Sequence, residues 1–450
     1  MTDLTTGSPT KQMLKFAMPV CLGNLFQLFY SLTDTRIVGS TLGENALAAV
    51  GASTAISTLL IGFLTGLTNG FSIIIAQNFG AKNEEKIRKS IAGTILLGFL
   101  TALFISFFSV IFLKSILNIL NVSDEIFPQS YGYIRAILLG IIATMFYNAF
   151  AGILRAIGDT VAPLIFLVIA CGFNIFLDLY FILGLGKGVA GAAWATVISQ
   201  GISVLFCVIY MWKKYPNLRL KKEDFKIDIQ LVKKLYGSGL SMGMMMSLVY
   251  FGTLALQIAI NILGTNTIVA HTAARKITEF FMLPFGVMSI TMATYCGQNK
   301  GAREYKRIKI GIWQALYITW AWCAFILVLS YTISPQLVYL VTGTEISEII
   351  DTAEKYLKIN TIFYFVPAMI CILRNAMQGI GDLITPIFSS FIELIGKVAI
   401  AFFLTPSIGY MGIIVSEPIV WVLMVIPLIV KIIFQLSICL SLQPGLVKGE

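Results

Sequence analysis

The feature that most constrains this chain is a succession of long apolar runs separated only by short polar breaks. A helix of roughly 20 apolar residues crosses a hydrocarbon layer of about 30 Å. Twelve such segments are predicted, at 14–38, 50–76, 90–113, 130–154, 162–184, 189–212, 236–262, 269–297, 310–332, 355–378, 386–405 and 410–437. Composition closes off a soluble alternative. The chain is 57% hydrophobic and 12% charged, whereas soluble domains carry about 25% charged residues. The polar opening MTDLTTGSPTKQ, followed by a run long enough to span by itself, argues against a cleavable signal peptide. The expected fold is an all-α integral membrane protein with about 12 transmembrane helices.

The formal net charge of +10 would suggest nucleic acid on a soluble protein. Here the bases lie in short loops. Lys82, Lys86, Arg88 and Lys89 follow the second span. Lys213, Lys214, Arg219, Lys221, Lys222, Lys226, Lys233 and Lys234 follow the sixth, and Lys300, Arg303, Lys306, Arg307 and Lys309 the eighth. The opposite loops are nearly bare, and one carries Glu345, Glu348 and Asp351. The positive-inside rule therefore places the basic loops and both termini in the cytoplasm of a cell membrane, with lipid as a partner and no nucleic acid. The seven Cys (Cys21, Cys171, Cys207, Cys296, Cys323, Cys371, Cys439) are odd in number and lack metal-ligand spacing, so neither a disulfide framework nor a zinc site is expected. His271 is the only His and reads as a membrane-edge residue. Without an acid–His or Cys–His constellation an enzyme is not expected, nor a bound cofactor.

The chain repeats itself. AQNFGAKNEEKIRKSI at 76–91 aligns with GQNKGAREYKRIKIGI at 297–312, and LGENALAA at 42–49 with LGTNTIVA at 263–270. RAIGDTVAP at 155–163 matches QGIGDLITP at 378–386, and GVAG at 188–191 matches GYMG at 409–412. Six spans per repeat keep both halves in the same orientation, so they are parallel repeats. The expected organisation is a six-helix lobe at 1–212, a basic linker at 213–235 and a second six-helix lobe at 236–450. A cleft between such halves is the usual place for a transport site.

Polar residues inside the spans narrow the function. Asn24, Gln27, Ser31 and Asp34 recur at steps of three and four, which puts them on one helical stripe. An ionised Asp at mid-bilayer costs roughly 2.5–3.5 kcal/mol on insertion scales, so the stripe must face protein or water. Asn174 and Asp178 are one turn apart in the fifth span, and Thr196 lies two turns into the sixth. All are expected at similar depth in the outer half of the first repeat. Oxygen ligands from three helices at one level suit a hard monovalent cation such as Na+, or a proton shared between carboxyls. The competing reading is helix–helix hydrogen bonding that only fixes packing.

The second half lacks this set. Ala255 stands at the place of Asp34, Lys397 at that of Asn174 and Ala401 at that of Asp178. It carries Glu279, Glu393, Lys397 and Glu417 instead. Glu393 and Lys397 are one turn apart, as are Arg275 and Glu279, so each pair is expected to neutralise itself within its helix. Glu417 has no local partner and is a candidate substrate counter-ion. Met242 and Met244–Met246 form either an adaptable apolar surface or core filler. Pro19, Pro284, Pro367 and Pro418 fall inside spans and are expected kinks.

With two six-span halves, a first-span Asp in LTDTRIVGSTLGENALAAVG, AQNFGAKN and its echo GQNKGAR, GIGD followed by TP, and NIFLD followed by GVAGAAWAT, the chain resembles the MATE (multidrug and toxic compound extrusion) transporters over nearly its whole length. The resemblance implies a MATE/MOP-type antiporter that expels organic, mainly lipophilic and cationic, compounds in exchange for H+ or Na+. Such a protein alternates between inward- and outward-open V-shaped states. It also implies that Asp34, Asn174, Asp178 and Thr196 match the amino-terminal-lobe cation or proton site, and that Pro19 matches a proline associated with bending. Asn24, Gln27, Ser31, Glu279, Glu393, Lys397 and Glu417 are then candidate cavity residues. The seventh span has no acidic residue, where some members carry one, so coupling is not assigned to the carboxy-terminal lobe. A monomer is expected. The alternative is a flippase for lipid-linked sugars or polysaccharide precursors, which would want a strongly cationic cleft.

Overall fold

The computed structural model describes residues 2–441, and among these it is helical almost throughout. The first half comprises α1 (Pro9–Leu42), α2 (Glu44–Gly80), α3 (Glu84–Ile119), α4 (Phe127–Leu139), α5 (Ile141–Ala156), α6 (Val161–Leu179) and α7 (Gly188–Lys214). The second comprises α8 (Ile229–Asn261), α9 (Thr265–Gly301), α10 (Tyr305–Thr342), α11 (Ser347–Phe363), α12 (Phe365–Gly379), α13 (Ile384–Ala399), the single turn α14 (Thr405–Ile408) and α15 (Tyr410–Ser441). Ten helical segments are long and apolar enough to cross a membrane. The bent pairs α4–α5 (47°) and α11–α12 (54°) bring the total to twelve. Helices dominate because lipid offers no partner to an unpaired backbone N–H or C=O.

The sequence repeat is also a repeat of backbone geometry. Each half has one bent pair and one π-helical turn, Tyr180–Gly184 and Ile400–Leu404. All four sequence echoes contain a left-handed residue: Gly43 and Gly264, Lys82 and Arg303, Gly158 and Gly381, Gly188 and Gly409. At GIGD the left-handed glycine stops one helix, with Asp159 N–H reaching Leu154 O at 2.9 Å and Asp382 N–H reaching Met377 O at 2.8 Å. The aspartate then caps the next helix, Asp159 Oδ1 accepting from Ala162 N–H (3.2 Å) and Asp382 Oδ1 from Thr385 N–H (3.1 Å).

The chain forms two compact units. One is Met18–Gly243 with the residues up to Asp3; the other is Leu4–Ala17 with Met244 onward. The boundary between the units falls inside α8, between Gly243 and Met244. Much of that stretch folds onto the first unit. Leu218 is buried, Arg88 Nε lies 3.3 Å from an Asp224 carboxylate oxygen, and Asn217 donates to Glu84 at 3.0 Å. The start of α8 packs on α2 through glycines. A Cβ on Gly70 would lie 2.3 Å from Ser238 O and one on Gly66 2.6 Å from Met242 O, while Gly239 and Gly243 face Phe71 and Phe63. This is close backbone approach by small residues spaced four apart on both helices.

In the second unit the N-terminal residues are held like a strap. Leu4, fully buried, donates its N–H to Gln298 Oε1 at 3.0 Å. Asn299 and Arg307 donate to Leu4 O, each at 3.1 Å, and Arg307 also donates to Gly7 O (2.8 Å) and Thr6 O (3.2 Å). Of the four prolines expected to kink, Pro367 lies just past the α11–α12 break. The helices containing Pro19, Pro284 and Pro418 run on through them. Met242 and Met245 are buried as core filler, whereas Met244 is exposed. Six cysteines are free thiols; the Cys439 side chain lies outside the described residues, as does the end of the 236–450 lobe beyond Ser441.

Candidate functional site

The first unit brings Asp34, Asn174, Asp178 and Thr196 together. Asp34 comes from α1, Asn174 and Asp178 from α6 one turn apart, and Thr196 from α7. Asn174 and Asp178 are 1% and 0% exposed, so bulk solvent does not reach them. A carboxylate accepts and an amide N–H2 donates, which fixes the orientation of Asn174. Its nitrogen donates to Asp178 Oδ2 at 2.8 Å, and its oxygen accepts from Tyr30 O–H and Thr196 N–H, both at 3.2 Å. Tyr30 O–H also lies 3.1 Å from Thr196 Oγ1.

The Asp34 and Asp178 carboxyl groups come close enough to interact electrostatically. Two carboxylates brought together repel, and a proton or a cation between them relieves the repulsion. Asp34 Oδ1 and Asp178 Oδ1 are buried and accept from no side chain or backbone group. No ion pair reaches either carboxyl among the described residues. The π-helical turn begins two residues after Asp178 and re-aims the chain toward α7. Val38, Ala46, Ile182, Val189 and Ala192 pack together around the same helix ends and exclude water from one side.

Sequence reasoning missed two members. Tyr30 lies one turn before Asp34 on the same face, a spacing that could have flagged it. Tyr133, on α4, is near both carboxyls and packs on the apolar cap, but no local signal in its own segment points there. Of the remaining stripe, Asn24 is half-buried and Gln27 and Ser31 are exposed, and none of these side chains hydrogen-bonds to the cluster.

The second unit corrects several expectations. Arg275 does not neutralise Glu279. It pairs with Glu417 at 2.7 Å, while Glu279, 55% exposed at its side chain, lies 3.6 Å from Lys276. A solvated Glu279 needs no partner, whereas buried Glu417 does. Glu417 is therefore not an unpartnered counter-ion, and Tyr356 O–H donates to its other oxygen at 2.7 Å. Glu393 and Lys397 do pair, at 2.9 Å, and Arg374 joins them at 3.4 Å. Both are buried, and they do not line the cavity in which Glu279 and Glu417 take part. His271 is buried, 7% exposed. Its Nδ1 is 3.1 Å from Tyr410 O–H, and its ring packs edge-on against Tyr356 and Tyr410.

Known proteins share this architecture. The chain is 27% identical over 403 residues to the probable multidrug resistance protein YoeA of Bacillus subtilis (strain 168), covering 88% of this chain and 87% of that one. It is 29% identical over 309 residues, 68% of each chain, to the probable multidrug resistance protein YpnP of the same organism. A solved structure described as the outward-facing conformation of a multidrug resistance MATE family transporter of the MOP superfamily superposes with a TM-score of 0.90 at 23% identity, covering 97% of this chain and 98% of that one. Another, a MATE in the bent conformation, gives 0.88 at 25% identity and covers 98% of each. The family model MatE matches residues 19–180 and again 242–403, once in each half. Matched twice and over more than half its length, the chain belongs to the MatE family of multidrug efflux transporters.

Proposed function

We propose that this transporter expels small, lipophilic organic cations in exchange for H+ or Na+, with Asp34, Asn174, Asp178 and Thr196 holding the coupling ion. The observation that supports this reading is the approach of two carboxyl groups from separate helices, each with a buried oxygen that accepts no side-chain or backbone hydrogen bond, and neither in an ion pair among the described residues. A proton or Na+ neutralises that pair; an ammonium group competes for the same charge. Exchange follows if ion and substrate favour different conformations. Pro19 lets α1 bend as the pair changes occupancy, and Asn24, Gln27 and Ser31 offer polar contacts along the same helix. The basic loops support a plasma-membrane protein with both termini cytoplasmic, and we take it to act as a monomer. An acidic site repels anionic head groups, which disfavours the flippase alternative.

The test is ethidium transport in proteoliposomes under separately imposed proton and sodium gradients. One gradient should drive efflux, and Asp34→Asn should reduce it to background while the protein still inserts. Full gradient-driven efflux by Asp34→Asn would refute the reading.

A further inference from the structure

The last two spans of the second unit, Ile384–Ile408 and Tyr410–Gln435, touch closely at two points. A Cβ on Gly396 would lie 2.7 Å from a Val420 methyl group, and Ser389 Oγ donates to Met424 O at 3.1 Å. Beside these contacts the two helices leave a groove of about 720 Å³. Ile384, Phe388 and Ile392 line it from α13 at steps of four, and Leu423, Val430 and Phe434 line it from one face of α15. All but Ile392 are exposed. Exposed apolar side chains on spanning helices meet acyl chains rather than water.

One end of the groove carries a charge. Lys431 lines it together with Thr385, and its ammonium lies 5.9 Å from the centre of the Phe434 ring. The carboxylate of the adjoining turn is Asp382. Its oxygens are taken by the Ile384 and Thr385 N–H groups, the Thr385 hydroxyl and Gln435 Nε2. No ion pair reaches Lys431 among the described residues. The Gln435–Asp382 bond, 2.6 Å long, lies one turn beyond Lys431 and beside the start of α13. This end is therefore the cytoplasmic edge of the spans, a placement that rests on the orientation proposed from the basic loops. An unpaired ammonium at that depth meets lipid head groups, and the cytoplasmic leaflet is the anionic one.

We propose that this groove holds one anionic phospholipid, with an acyl chain along the apolar stripe and the phosphate against Lys431. The apolar length selects a lipid over a free phosphate. The unpaired ammonium selects an anionic head group over a zwitterionic one. The site lies wholly within the second unit and does not depend on which ion couples transport.

The purified full chain, delipidated in detergent, is titrated with phosphatidylglycerol and, separately, with phosphatidylcholine, and bound lipid is counted by native mass spectrometry. Phosphatidylglycerol is expected to bind more tightly. Lys431→Gln should weaken it about fivefold, the worth of one charge at the membrane surface, and Lys431→Arg should bind as the wild type does. Val430→Trp, which fills the apolar stripe from an exposed position, should weaken both lipids. Lys309→Gln, a basic-loop change outside the groove, should alter neither. Membrane orientation does not enter this measurement, so an inverted topology would leave its result intact. Equal binding of the two lipids by the wild type, undiminished phosphatidylglycerol binding by Lys431→Gln or by Val430→Trp, or an equal loss in Lys309→Gln would each overturn the assignment. So would displacement of the lipid by inorganic phosphate, or a protein dimer that carries no lipid.

Discussion

Asp34 on α1 and Asp178 on α6 approach one another, each with a buried carboxyl oxygen that accepts no side-chain or backbone hydrogen bond. No ion pair reaches either carboxyl among the described residues. Repulsion between two such carboxylates favours a proton or cation between them, which would make occupancy a structural variable. Asp178→Asn should lower gradient-driven efflux at least about tenfold, because the shared proton loses one of its two holders. Tyr30→Phe, which removes only a hydroxyl, should cost about two- to tenfold, the worth of one net hydrogen bond. Initial rates in proteoliposomes measure both; equal rates in the wild type and Asp178→Asn would count against a role for the pair.

Arg275 and Glu417 are a cross-helix pair in a buried setting. Arg275→Ala strands the Glu417 carboxylate and should cost roughly 3–5 kcal/mol. Adding Glu417→Gln to it should recover most of that loss. A double-mutant cycle on thermal unfolding in detergent checks this. Simple additivity would mean that the two side chains do not interact.

Gly70 has a backbone carbonyl where a Cβ would go, with Ser238 O only 2.3 Å from that position. A carbonyl on a neighbouring helix cannot rotate aside. Gly70→Ala should therefore destabilise by about 1–3 kcal/mol, whereas Gly51→Ala, with open space around it, should change little. Equal unfolding temperatures for the two variants would contradict close α2–α8 packing.

Asp159 lies outside the spans, so its titration can be followed. Burial alone would raise its pKa, but the hydroxyls of Tyr215 and Tyr210, the Ala162 N–H and the Lys214 ammonium outweigh burial and hold it below the usual carboxylate range. A lowered folded-state pKa gives stabilisation that is present above the unfolded value of about 3.9 and lost as pH falls through the folded one. Asp159→Asn should thus unfold at a lower temperature near neutral pH, with the gap closing on acidification. A gap that stays constant with pH would show that the charge contributes nothing.

Arg307 spends its guanidinium on three backbone carbonyls of the N-terminal strap. Arg307→Ala should release residues 4–7 and cost roughly 1–3 kcal/mol, the range for charge-assisted hydrogen bonds. Amide exchange at the first residues of α1 should rise at least about tenfold. Unchanged protection of the Leu4 N–H would place the hold elsewhere, with Gln298.

Much of the fold was legible because the signals are local. Run length fixes a spanning helix, and lipid forbids anything but a fully paired backbone. The repeat was legible because its echoes mark left-handed turns, where few residues serve; GIGD recurs because it both stops a helix and caps the next. The site was partly legible for a related reason. A carboxylate in a span has few excuses, so Asp34 and Asp178 identified themselves, as did Asn174 by its one-turn spacing. Tyr133 did not, because a tyrosine in an apolar helix has an ordinary explanation.

The chain by itself determined about how many spans form, where the turns between them lie, and which residue types must be hidden from lipid, since all of these follow from spacing along one segment. Only the tertiary structure decided who meets whom. Arg275 had Glu279 one turn away and took Glu417 from another helix; His271 stood near a helix end and was buried between two tyrosines; the linker and the N-terminal strap packed into units their positions in the chain did not announce. The reason is rotational. Spacing along a helix says which side chains share a face, but the partner across that face depends on how neighbouring helices are turned and packed.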